Sequence, residues 1–291
     1  MVPSSLYDLS SINILVFEIN RLSLFKKKKK KKINQLSGAL PANIGFTLPN
    51  LKLFKIGDNK FFGPIPGSLC NASKLKIIDL GSNNLVGSVP TNLGSLLDLE
   101  QLCLGMNNLG GDLDFVTSLR NCSKLKVLSI ALNQFEGVVP NSIGNLSTKL
   151  NELYSGGNKI SGMILASLHN LINLISFCME ENLLTSLIPT YFGKFQMMQG
   201  LFLWGKNLSG KIQSSTSNLT QLVDLDFSQN NLEGSITPSI GNCQNLQQLD
   251  VSQNYLSGVI PQQVFSLFSL SNCLIYPTTH LVANYLLKLA I

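Results

Sequence analysis

Histidine is almost missing from this chain, with His169 and His280 the only two in 291 residues. A zinc site needs Cys and His clustered at short spacing, and neither histidine lies in such a cluster, so no metal and no other cofactor is expected. Catalysis is short of parts as well: no nucleophile stands beside a base, and no carboxylate pair falls in a pocket-forming context. The chain is therefore not read as an enzyme. Charged residues make up only 13%, and no run of about 18 uninterrupted apolar residues occurs. The C-terminal LIYPTTHLVANYLLKLAI is broken by Pro277, His280, Asn284 and Lys288, so no membrane span is encoded here. The opening MVPSSLYDLSSINILVF has no basic stretch ahead of an apolar one and carries Asp8, so it is not a secretory signal.

A balance of charge is also lacking, but only on paper. The formal charge of +6 invites nucleic acid as a partner, yet seven of the 22 basic residues form the single run Lys26 to Lys32. The remaining 15 face 16 acidic residues, which leaves the rest of the chain neutral and no nucleic-acid partner expected. Blocks of like charge are usually solvated, so the run reads as an insertion without function. INRLS at Ile19 to Ser23 is echoed by INQLSG at Ile33 to Gly38, 14 residues later.

What is present is a period. The frame LxxLxxLxLxxNxLxGxIP recurs about every 24 residues, anchored on Asn59, Asn83, Asn107, Asn133, Asn158, Asn182, Asn230 and Asn254, with Lys206 in the asparagine position of one further frame. Such self-similarity belongs to leucine-rich-repeat solenoids. In LKLFKIGDNKFFGPIP, Phe54 and Ile56 alternate with Lys55, the period-two pattern of a short strand. Asn59 then supplies a side-chain amide able to satisfy backbone groups of neighbouring turns, so the eight asparagines are expected to form an internal ladder. Gly63 permits a tight backbone, Pro66 turns the chain, and Leu69, Leu93, Ile143, Leu168 and Ile240 supply a helical or 3₁₀ return. The expected fold is α/β, a right-handed solenoid of about ten repeats with a curved parallel sheet on its concave face.

Departures from the frame divide the chain. Residues 1–33 read as a broken first repeat with the lysine insertion, 34–270 as the repeat array, and 271–291 as an irregular tail with no frame. Leu165, Gln213 and Thr237 replace the IP proline and Ser186 replaces the glycine. Together with Lys206, these changes predict local looseness over 182–215.

The LxGxIP half, seen as FFGPIP, NLVGSVP, QFEGVVP and YLSGVIP, is similar to the plant type of repeat. DLDFVTSLRNCSKLKVL, NSIGNLSTKL and SIGNCQNLQQLDVSQN resemble ectodomains of plant leucine-rich-repeat receptor-like kinases of innate immunity. That resemblance implies an extracellular, ligand-sensing region of a membrane receptor, with a peptide or protein ligand and a co-receptor bearing a similar repeat ectodomain. The family's kinase motifs, a glycine-rich phosphate loop, VAIK, HRD and DFG, are absent from this chain. A secreted inhibitor of the polygalacturonase-inhibiting type, which uses the same repeat, and a truncated product without function are the alternatives.

In this architecture the ligand meets the outward residues of the strands. Four before the asparagine stand Lys55, Asp79, Cys103, Ser129, Tyr154, Cys178, Phe202, Asp226 and Asp250; two residues further on are Gly57, Gly81, Gly105, Ala131, Gly156, Glu180, Trp204, Ser228 and Ser252. The first four frames are bland. In the later ones Tyr154, Phe202 and Trp204 are expected as exposed aromatics among Glu152, Glu180, Glu181, Asp224, Asp226 and Asp250, which predicts a ligand with a basic and an apolar element. Five Asn-x-Ser/Thr triplets, at Asn71, Asn121, Asn145, Asn207 and Asn218, are candidate N-glycosylation sites. Cys103 and Cys178 share a strand position three repeats apart, about 14 Å at the spacing of stacked strands, beyond disulfide reach. Cys122 and Cys243 share another position five repeats apart and are likewise not expected to pair.

Overall fold

A computed structural model describes residues 10–17, 35–205, 207–265 and 267, together with the backbone of 273–275 and 280–282. Two compact units divide the chain, residues 1–150 and 151–291. The lysine run and Lys206 lie outside the described residues.

In the first unit, five three-residue strands pair in parallel: Ile14–Val16, Leu53–Lys55, Ile77–Asp79, Gln101–Cys103 and Val127–Ser129. Their central residues Leu15, Phe54, Ile78, Leu102 and Leu128 are buried, while the flanking residues face outward. The register never slips, since Ile14 lies opposite Leu53, Leu53 opposite Ile77, Ile77 opposite Gln101 and Gln101 opposite Val127. Ile14 and Leu53 are 39 residues apart, whereas later partners are 24 to 26 apart. The surplus length therefore falls between these two strands, where the sequence shows its echo. A second parallel set runs through Ser37–Ala39, Lys60–Gly63, Asn84–Gly87, Asn108–Gly111 and Gln134–Val138.

The second unit repeats the plan with Glu152–Tyr154, Ser176–Cys178, Gly200–Phe202, Asp224–Asp226, Gln248–Asp250 and Cys273–Ile275. Its second set is interrupted: Lys159–Gly162 pairs with the two-residue strand Leu183–Leu184, and only an isolated bridge, Leu187 to Ser209, leads on to Ser209–Lys211, Asn231–Gly234, Tyr255–Val259 and His280–Val282. The break coincides with Ser186. In the other described frames that position is a glycine at positive φ, as at Gly63 (79°) and Gly162 (83°), a conformation that costs a non-glycine residue about 1 kcal/mol or more. Two strands also form beyond residue 270, where no frame is readable.

Short 3₁₀ helices close most repeats, such as Gly67–Asn71, Asn141–Asn145, Ala166–Asn170 and Pro238–Asn242, with Leu69, Ile143, Leu168 and Ile240 buried beneath them. Pro66 and Pro140 lead into two of these in an extended conformation.

The asparagines tie successive turns together. Asn83 donates to the carbonyls of Leu80 (3.0 Å) and, one repeat back, Ile56 (3.0 Å), and its Oδ1 accepts the Phe61 N–H (2.9 Å). Carbonyls are shared: Leu80 accepts from both Asn83 and Asn107, and Leu104 from both Asn107 and Asn133. Asn59, Asn158, Asn182, Asn230 and Asn254 are buried and bond to backbone carbonyls in the same way. The residue before the asparagine is left-handed throughout, including the non-glycines Asp58, Ser82, Met106, Leu132, Glu181, Gln229 and Gln253 at φ of 48° to 59°. Burying an unpaired backbone carbonyl costs about 1–3 kcal/mol, so the bonds made by each asparagine outweigh the strain of the turn before it.

Candidate functional site

The outward face of the second unit gathers most of the sequence candidates. Cys178, Phe202, Asp226 and Asp250 lie opposite one another on adjacent strands, as do Ser176, Gly200, Asp224 and Gln248. No lysine or arginine occupies these outward positions. The Phe202 ring folds back over Gly200, close enough that a Cβ there would lie 2.9 Å from it. Gly156 likewise makes room for the Glu180 carboxylate, which lies where a side chain would otherwise stand. Glycine at these positions is what lets a side chain lie flat on the sheet, from the same strand at Gly200 and from the next repeat at Gly156.

Three expectations of exposure need correction. Tyr154 is buried, at 7% exposure: its strand position faces outward, but its hydroxyl donates to Glu152 Oε2 (3.0 Å) and its ring is desolvated beside Ser176 and Cys178, which pushes the phenol up. Phe202 and Trp204 are half-buried. Glu181 is exposed and sits at the left-handed turn that follows the strand.

The carboxylates are held in distinct ways. Burial pushes Glu180 up to about 7, opposed by its own backbone hydrogen bond and reinforced by Glu181 and Asp226; its Oε2 is buried without a hydrogen-bond partner. Burial also raises Asp224. Asp226 is raised by burial and by Asp250, against the hydrogen bonds its Oδ1 accepts from the Ser228 hydroxyl (2.7 Å) and N–H (2.9 Å). Asp250 accepts the Ser252 N–H in the same manner (2.9 Å). The result is a partly dehydrated acidic surface beside two aromatic rings.

Cys70, Cys122 and Cys243 serve the core. None of the five described cysteines is in a disulfide. Cys122 Sγ donates to the Leu93 carbonyl and Cys243 Sγ to that of Thr216 (3.7 Å each), and burial pushes both thiols up to about 11. Four sequon asparagines, Asn71, Asn121, Asn145 and Asn218, are exposed at the last residue of a 3₁₀ helix, while Asn207 is half-buried.

The first outward position, six before the asparagine, enters the sequence reading only through Glu152 and Asp224. In the first unit it holds Ile14, Leu53, Ile77, Gln101 and Val127; in the second, Glu152, Ser176, Gly200, Asp224 and Gln248. Aligning that column would have found the contrast.

The family described as Leucine Rich Repeat matches residues 74–96, 124–146, 221–243 and 245–267. No curated protein sequence matches the chain. Among solved structures, the chain is 31% identical to the Arabidopsis receptor kinase HAESA, in complex with the peptide hormone IDA and the co-receptor SERK1, with a TM-score of 0.84 over 96% of this chain and 44% of that one. It is 28% identical to the plant peptide hormone receptor RGFR1 in complex with RGF2, with a TM-score of 0.78 over 97% of this chain and 46% of that one. A plant ice-binding protein is 25% identical, with a TM-score of 0.69 over 79% of this chain and 74% of that one. The chain thus spans under half the length of the two receptors.

Proposed function

We propose that this chain, a leucine-rich-repeat protein resembling plant receptor kinase ectodomains, is the extracellular ligand-binding region of a receptor-like kinase and senses a peptide. The observation that carries the reading is the second unit's strand face, where Phe202 and Trp204 stand among Glu180, Asp224, Asp226 and Asp250 without an opposing cation among the described residues. Such a face suits a peptide with a basic side chain to meet the carboxylates and an apolar one to meet the rings, since aromatic side chains carry a large share of interface energy. The peptide complexes of HAESA and RGFR1 support a peptide ligand, and SERK1 supports a co-receptor as a further partner. Four exposed sequons support an extracellular setting, where Asn71, Asn121, Asn145 and Asn218 would carry glycans; mass spectrometry of plant-expressed protein reads their occupancy.

The test uses short synthetic peptides of alternating Leu and Lys. The double change Phe202→Ala and Trp204→Ala is expected to weaken their binding by about thirtyfold, the scale of one strong interface residue, with the melting transition retained. Unchanged affinity in a folded variant sinks the reading.

A further inference from the structure

Leu51, Leu75, Leu99, Leu125 and Leu150 open successive repeats of the first unit and are buried. The residues on either side of each form an edge at the start of the strands, separate from their outward face. Six of these flanking residues are exposed lysines, Lys52, Lys74, Lys76, Lys124, Lys126 and Lys149; two are half-buried acids, Asp98 and Glu100. The frame does not ask for charge here. Around Leu174, Met198, Leu222 and Leu246 in the second unit, the same positions hold Asn, Ile, Met, Gln and Val and no charged residue.

The backbone holds this edge in a fixed spacing. The Lys76 N–H donates to the Lys52 carbonyl (2.8 Å), the Glu100 N–H to that of Lys76 (2.7 Å) and the Lys126 N–H to that of Glu100 (2.8 Å). At about 4.8 Å for each stacked strand, the row from Lys52 to Lys126 spans about 14 Å. Both carboxylates are already balanced: Lys124 engages Asp98 (2.5 Å), Lys126 engages Glu100 (2.6 Å), and Lys76 acts on both. Lys74 donates only to the neutral Asn50 side chain (2.8 Å) among the described residues. Six lysines against two carboxylates leave a surplus of four positive charges along the edge.

Cations held at regular spacing repel one another and gain most from a polymer that meets several of them at once and releases its counterions. The flanking positions carry no aromatic ring on which a base could stack and no arginine, whose planar fork suits phosphate, which disfavours nucleic acid. Exposed Ser73 and Ser123, next to Lys74 and Lys124, add hydroxyls able to donate to and accept from sugar hydroxyls.

We infer that this edge of the first unit binds a linear acidic polysaccharide, a chain of sugars that each bear a carboxylate. The inference goes beyond the peptide reading: it concerns other residues, another surface and another class of ligand.

The test measures binding of a short oligogalacturonate to the full chain by calorimetry, beside the same oligomer with its carboxyls reduced to alcohols. The acidic oligomer is expected to bind, more weakly as salt rises, and the reduced one not to bind. Lys52→Gln, Lys74→Gln and Lys76→Gln together should weaken binding about tenfold, the sum of modest exposed charge terms. Lys159→Gln, Lys194→Gln and Lys211→Gln, exposed in the second unit and equal in charge change, should leave it intact. Asp98→Asn with Glu100→Gln should tighten it severalfold, a gain that a damaged fold cannot produce. A chain lacking Lys26 to Lys32 should keep the binding. The inference is overturned if the acidic oligomer does not bind, if its reduced form or a single-stranded RNA of equal charge binds as tightly, if the two triple variants weaken binding equally, or if deleting the lysine run alone abolishes it. The Phe202 and Trp204 variants should bind the oligomer as the parent does, so either reading fails without the other.

Discussion

The two units hold their carboxylates by opposite means. In the first, hydrogen bonds from Lys124 and Lys126 pull Asp98 and Glu100 below the usual carboxylate range; in the second, burial pushes Glu180, Asp224 and Asp226 above it. The same strand scaffold thus carries a solvated, lysine-balanced edge in one unit and a desolvated, unbalanced acidic face in the other. The backbone differs in parallel. The first unit's second strand set is continuous and its four asparagines are consecutive, whereas the second unit breaks at Ser186 and its sequence has Lys206 where the frame calls for asparagine.

The largest expected effect probes the ladder. Asn107→Leu removes one of two asparagine donors from each of the Leu80 and Leu104 carbonyls and one from that of Gly105, and takes the acceptor from the Leu85 N–H, an expected loss of about 3–4 kcal/mol by chemical denaturation. Asn230→Leu removes a like set, but Asn107 shares carbonyls with asparagines on both sides and Asn230 only with Asn254, through Phe227. Hydrogen bonds in a chain reinforce one another, so Asn107 should cost more; equal losses would erase the ladder as a difference between the units.

Next in size is the pH dependence of the acidic face. Glu180 holds its proton to about pH 7 when folded against an ordinary value of 4.5. The unfolded chain therefore releases the proton first, and the folded state loses stability as pH rises from about 4.5 to 7, with the penalty complete above that. Glu180→Gln removes the slope and should stabilise the protein at pH 8 by on the order of 1–2 kcal/mol, with little effect at pH 4. Thermal melts across that range check it, and a variant that follows the parent's curve at every pH contradicts the burial of this carboxylate. The first unit's Glu100, with its value lowered, should give a slope of opposite sign.

The smallest effect concerns packing. Thr216 is buried at 2% exposure in the 3₁₀ position that Leu69, Ile143 and Leu168 fill elsewhere, next to Ile212, Ile236 and Ile240. Thr216→Ile should stabilise the second unit by about 0.5–1 kcal/mol, the scale of an added buried methylene; a lowered melting temperature would show that the site is already full.

Much of this was legible in the sequence because each repeat must bury the same positions. The strand residues, the eight asparagines, the 3₁₀ leucines and isoleucines and the interruption at Ser186 all follow from the frame. The fate of Tyr154 did not, since a frame gives the direction of a Cβ and not the partner a long side chain finds; Glu152 decides that. The left-handed residue before each asparagine was hidden because Asp, Ser, Met, Leu, Glu and Gln share no chemistry that marks such a turn. The strands at Cys273–Ile275 and His280–Val282 were equally hidden, because main-chain pairing, which no side-chain frame announces, carries the stack past the last readable repeat.

The register that never slips has a further consequence. Pairing between Ile14 and Leu53 tolerates 39 residues of separation as readily as its neighbours tolerate 24, and closing the longer loop costs only about 0.4 kcal/mol more. Contour length is thereby uncoupled from surface position. Residues can be spliced into a return without moving any outward side chain along its strand, so the molecule can lengthen its loops and keep its face.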